Sequence, residues 1–130
     1  MNPTVRNIIA IIVGIAVALI INMSLIMLGP LLIANPEGFN PDNLETFSLL
    51  QPIHLITPFL AHALGSLFGA FIASLISQTK KMRVALIVGA IHMIGGIVMA
   101  VQTDVVIWYD VLDITVAYLP MAVLGVALGK

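Results

Sequence analysis

The chemistry this chain could perform rests on a few polar residues: His54, His62 and His92 stand in or beside long apolar runs, and Asp113 stands at the start of another. An ionisable group inside a hydrocarbon layer is costly, so each of these is a candidate for function. Imidazole titrates near neutral pH, so His62 and His92 could relay a proton with Asp113 as the outer entry group. A second chemistry is a haem b held by two axial imidazoles from different helices. His62-Ala-Leu-Gly65 and His92-Met-Ile-Gly95 each set a glycine about one turn from a histidine, where a macrocycle could approach. A third is a metal site from His54, His62 and Asp113, or a copper route pairing histidine with Met23 and Met27. Metal sites bring their ligands at short fixed spacings, and no such spacing is present. Without cysteine there is no thiolate ligand, disulfide or thiol redox chemistry.

A plainer role competes with all three. A histidine on a helix lined by small residues hydrogen-bonds a neighbouring helix, worth about 0.6–2 kcal/mol in a membrane bundle. Asn22 on the first apolar run can do the same, and Asp113 can cap the helix that follows it. No nucleophile triad, HExxH, Walker or GxGxxG pattern is present, so no enzyme activity is expected. No cofactor is expected beyond the haem alternative.

These residues must be positioned by membrane helices. The chain has 130 residues, of which 61% are hydrophobic and 8% charged, with a mean hydropathy of +1.16. A soluble domain carries about 25% charge, and disordered chains are polar, so both classes are excluded and a single integral membrane domain over 1–130 remains. Only eleven residues are charged, and the uncharged stretches between Arg6 and Glu37, Glu45 and Lys80, and Arg83 and Asp104 hold 30, 34 and 20 residues. Each can cross a layer that needs roughly 20 apolar residues. The 16 residues after Asp113 qualify if that residue lies just inside the boundary. The expected fold is therefore an all-α, four-helix transmembrane bundle with spans of about 5–34, 52–77, 84–101 and 109–128.

The signs of the charges sort by side. Arg6, Lys80, Lys81, Arg83 and Lys130 fall on one side of a four-span chain, and Glu37, Asp42, Glu45, Asp104, Asp110 and Asp113 fall on the other. The positive-inside rule then puts both termini in the cytoplasm of a bacterial cell, in its inner membrane. Ile8–Leu28 runs 21 residues, longer than a signal-peptide core, and is read as a retained helix. With a net charge of −1, no nucleic-acid partner is expected.

Local signals refine the spans. Gly29-Pro30 should bend or end the first helix, with Leu31–Ala34 as a kinked extension. Asn40-Pro41 reads as cap and first position of a short helix lying on the outer membrane surface, with Leu44, Phe47 and Leu50 on one face. Trp108 and Tyr109 sit where an interfacial anchor is expected. Ala61, Gly65, Gly69 and Ala73 recur every four residues on the second helix, and His92, Gly96 and Ala100 on the third, the spacing of close helix packing. By depth, at 1.5 Å rise per residue, His62 lies roughly 12 Å and His92 roughly 18 Å below the outer face. Asn22 and Asp113 come out at roughly 9 and 7 Å, so with His54, Thr57 and Ser66 nearby these residues would form one polar patch in the outer half, provided that they face one another.

Segments such as Gln51-Pro52-Ile53-His54, Pro58-Phe59-Leu60-Ala61-His62-Ala63-Leu64-Gly65 and Tyr118-Leu119-Pro120-Met121-Ala122 resemble small bacterial inner-membrane proteins, a likeness that implies no activity. Small multidrug resistance transporters are similar in size and span number, but they need a glutamate embedded in helix one. Here helix one carries no charge past Arg6. The first expectation for function is a non-enzymatic subunit in the lipid bilayer that self-associates as a homo-oligomer or joins a larger membrane complex. The alternative is a proton or small-solute transporter or channel using His62, His92 and Asp113, and a haem b protein comes third.

Overall fold

The computed structural model describes residues 1–130 and is all-helical. Four helical stretches are long and apolar enough to cross a membrane. They are α1 (Pro3–Leu32), α2 (Ile56–Ile76) with the 3₁₀ turn Pro52–Leu55 in front of it, α3 (Lys81–Gln102), and a broken pair, α4 (Ile107–Val116) and α5 (Leu119–Leu128). The protein is a helical membrane protein. Its helix α2 is central, packing against α1, α3 and α5.

The interior is made of small residues and the outside of large ones. Ala10, Gly14 and Ala18 are buried on α1, whereas Ile12, Ile20, Met27 and Leu31 are exposed. Lipid is as apolar as leucine, so burying large side chains gains little, and close backbone approach supplies the packing energy instead. On α2, Gly65 and Gly69 meet α1 directly. A β-carbon on Gly69 would lie 2.6 Å from the Gly14 carbonyl oxygen, and one on Gly65 would lie 2.9 Å from that of Ala18. Ala61 and Ala73 of the same stripe are fully buried. On its other side α2 receives Gly125 of α5 against the Leu67 carbonyl, and Gly89 of α3 meets Ala122.

Polar contacts tie the ends of the helices. Arg6 Nε donates to the Ile76 carbonyl at the C-terminal end of α2, where an unpaired carbonyl and the helix dipole both favour a cation. Ser77 Oγ donates to Asn7 Oδ1 at 2.7 Å, and Gly129 packs against Ser74 Oγ. The start of α1, the α2–α3 turn and the end of α5 therefore share one end of the bundle, and all five basic residues lie there.

Three local expectations are corrected. Helix α1 runs through Gly29-Pro30 to Leu32 and does not extend to Ala34. Pro30 lies in the final turn, where it denies a bond to the Ile26 carbonyl and the helix ends two residues on, and Gly29 admits Thr57 of α2, whose Oγ1 would lie 2.8 Å from a β-carbon there. The outer loop does not start a helix at Asn40-Pro41. Asn40 Oδ1 accepts the Asp42 N–H at 2.9 Å, and its backbone N–H and carbonyl both bond Thr46 Oγ1. That closes a loop, and a single 3₁₀ helix follows at Leu44–Leu49, capped by Asn43.

The third correction concerns the last span, which breaks after Val116. Pro120 has no N–H for the Val116 carbonyl, and its ring crowds that oxygen. Pro120 instead occupies the first turn of α5, where no bond is lost. Pro58 sits within the first turn of α2 on the same principle.

Candidate functional site

The break in the last span builds the site. Tyr118 stands at the break, fully buried, and its hydroxyl donates to Asp113 Oδ2 at 3.0 Å. His62 Nδ1–H donates to both carboxylate oxygens of Asp113, at 2.8 and 2.9 Å. Asp113 is 4% exposed and lies within α4, so it does not cap the helix. One carboxylate thus collects donors from α2 and from the start of α5, next to the Pro120 break.

The second histidine closes the cluster. The His62 and His92 ring centroids are 6.2 Å apart and perpendicular, and Tyr118 packs against both, at 5.5 Å on His62 and 5.2 Å on His92. His92 Nδ1 bonds Ser66 Oγ at 2.9 Å. A haem between α2 and α3 would require Tyr118 to leave the His62 face, where the two rings stack.

Two glycines from the packing stripes serve the site. A β-carbon on Gly65 would lie 2.9 Å from His92 Cε1, and one on Gly96 would overlap the Tyr118 hydroxyl. Gly96 therefore makes room for a side chain and not for a helix backbone. Both rings fit because the facing residue has none.

Three residues of the expected patch, His54, Asn22 and Thr57, stay outside the hydrogen-bonded cluster, Thr57 packing against Gly29 of α1. His54 lies in the 3₁₀ turn before α2, where its Nδ1 accepts the Gln51 N–H at 2.9 Å. Two turns separate it from His62, so the metal reading loses its third ligand. No group of three or more His, Asp or Glu side chains stands together in metal-binding geometry. Asn22 approaches from α1 beside Gly65, with its Oδ1 buried and unpartnered.

Ser66, expected beside the patch, does bond His92, whereas Tyr118 and the inward side of Tyr109 are what sequence reasoning missed. Tyr109 is buried one turn before Asp113, and its hydroxyl has no partner. The spacing Tyr109, Asp113, Ala117 marks one face of α4, and Pro120 two residues past Tyr118 signals the break. Together they would have pointed inward. Chemically, the arrangement can hold a proton on Asp113, His62 or His92 away from bulk water and pass it over short distances. No family model, no curated protein and no solved structure matches the chain.

Proposed function

We propose that this chain is a small bacterial inner-membrane protein that transfers protons at the His62–Asp113–Tyr118 centre, with His92 as the next station. The observation that carries this is Asp113, a carboxylate 4% exposed, held by His62 and Tyr118 inside an apolar bundle. Helix association alone does not need a carboxylate, since serine and asparagine supply the same glue without burying a charge. His62 has one ring nitrogen on Asp113 and its ring faces His92 at 6.2 Å, a gap that one water or a small ring rotation spans. The reading as a self-associating accessory subunit draws on the small-residue stripes and on the near absence of soluble parts, and neither calls for a buried carboxylate. Gly14, Gly65, Gly69, Gly89 and Gly125 all pack within one chain, so they supply no separate surface for a second copy.

The test is proton flux in proteoliposomes carrying a pH gradient and an internal pH dye. His62→Ala should lower the flux by about a hundredfold, the low end of what a positioned acid–base group contributes. Flux unchanged in that variant sinks the assignment.

The same proposal has both termini facing the cytoplasm, because all five basic residues gather at one end and none at the other. The chain has no cysteine, so single cysteines report topology directly. Thr79→Cys should resist a membrane-impermeant maleimide in intact cells after outer-membrane permeabilisation, and Asp42→Cys should react. The reverse pattern overturns the orientation.

A further inference from the structure

A narrow crevice runs between α1 and α3 on the lipid-facing side of the bundle, about 100 Å³ in volume. Its walls are Ile15, Ala18 and Leu19 of α1 and Val88, Ile91 and Gly95 of α3, and the one polar side chain on it is His92. His92 is 8% exposed. Its Nδ1 is held by Ser66 Oγ, and its Nε2 makes no hydrogen bond within the chain. Ser66 Oγ has no other partner, and with its hydroxyl proton donated to Nδ1 the imidazole proton is assigned to Nε2. The crevice is thus an apolar slot with a single N–H donor in its wall.

A lipid tail can fill such a slot but cannot accept that hydrogen bond, and leaving a donor unpaired in hydrocarbon is costly. A molecule that offers a flat apolar ring and an acceptor oxygen satisfies both features. An enclosed cavity of about 150 Å³ holds one benzene ring, and this slot is smaller but open on one side. It therefore takes a ring edge-on, with the rest of the molecule in the membrane. Gly95 leaves the rim free, for a β-carbon there would meet nothing within 4 Å.

We infer that the α1–α3 crevice is a binding site for a membrane-soluble molecule of the quinone or aryl-ketone class, whose ring carbonyl accepts the His92 Nε2–H. The inference concerns binding alone and goes beyond the proton-transfer reading without requiring it. The site is reached sideways from the lipid.

The test is ¹⁵N NMR of histidine-labelled full-length protein in lipid nanodiscs, titrated with duroquinone and, separately, with durene, which has the same ring methyls and no carbonyls. Duroquinone should shift the His92 Nε2 resonance saturably, and durene should not. Gly95→Leu fills the crevice from a position with open space around it, so the protein should fold and the shift should vanish. No shift in the unaltered protein, an equal shift with durene, or a shift that survives Gly95→Leu each overturns the site. None of these outcomes depends on proton flux, so the crevice can fail while the His62–Asp113 reading stands, and the reverse holds for His62→Ala in proteoliposomes.

Discussion

Gly96→Ala should cost the bundle about 1–3 kcal/mol and cut proton flux about tenfold, despite adding only one methyl group. Two effects oppose each other. Alanine is the better helix former by about 1 kcal/mol, which taken alone would stabilise α3. The added β-carbon, however, lands on the Tyr118 hydroxyl and ring edge. That ring cannot swing aside freely, because it is packed on His62 and His92 and bonded to Asp113. Overpacking against a clamped ring wins, and the bond from Tyr118 to Asp113 is what gives way. Thermal unfolding of the purified protein and flux in proteoliposomes measure the two losses. Adding Tyr118→Phe to Gly96→Ala removes the atom nearest the new methyl. It should recover part of the stability and none of the flux, since the hydroxyl that holds Asp113 is gone. Recovery of flux in the double variant would contradict a positioning role for Tyr118.

The largest effect on folding is expected at the α1–α2 crossing. Gly69→Leu should cost roughly 3 kcal/mol or more, the upper range of overpacking, because its β-carbon would meet the Gly14 carbonyl oxygen and Ala18 Cβ. Neither obstacle is the end of a flexible side chain. Helix α1 must move off α2 as a unit, taking with it the contacts of Gly14 with Ala73 and Val88. Titration of the protein from mild detergent into dodecyl sulfate reads the change. Leu75→Ala on the same helix is the comparison. Leu75 is 49% exposed to the lipid side, so its truncation should stay within about 0.5 kcal/mol. If the two variants behave alike, the close crossing is not what holds the bundle together.

The residues themselves account for how much of this was legible in advance. His62, His92 and Asp113 stood out because any ionisable group in an apolar run does, and their spacing along the chain carries their depth. Tyr118 escapes notice because it lies inside an apolar run without the charge that marks Asp113, and its facing depends on how its helix is rotated. It turns inward only because Pro120 breaks the span beneath it. Gly96 and Gly65 read as helix-packing residues, since a stripe of small residues looks the same whether it receives a backbone or an imidazole. His54 was grouped with the site by its proximity in sequence, although a local bond to Gln51 keeps it in the turn before α2. Arg6 reads as a topology marker and is also the partner of a C-terminal carbonyl of α2.

The sequence by itself determined that this is a membrane protein with four spans, and that its basic and acidic residues gather at opposite ends. Transfer of a segment into hydrocarbon is close to a sum over its own residues, so composition along the chain suffices to find it. Only the tertiary structure decided which polar groups meet. That depends on how far each helix is rotated about its axis, how closely small residues let two backbones approach, and where a proline interrupts a helix. Those quantities are set by contacts between residues distant in sequence, such as Gly69 with Gly14 and Asp113 with His62. Three buried polar side chains, the half-buried His62 and one tyrosine therefore become a connected site only when α1, α3, α4 and α5 close around α2.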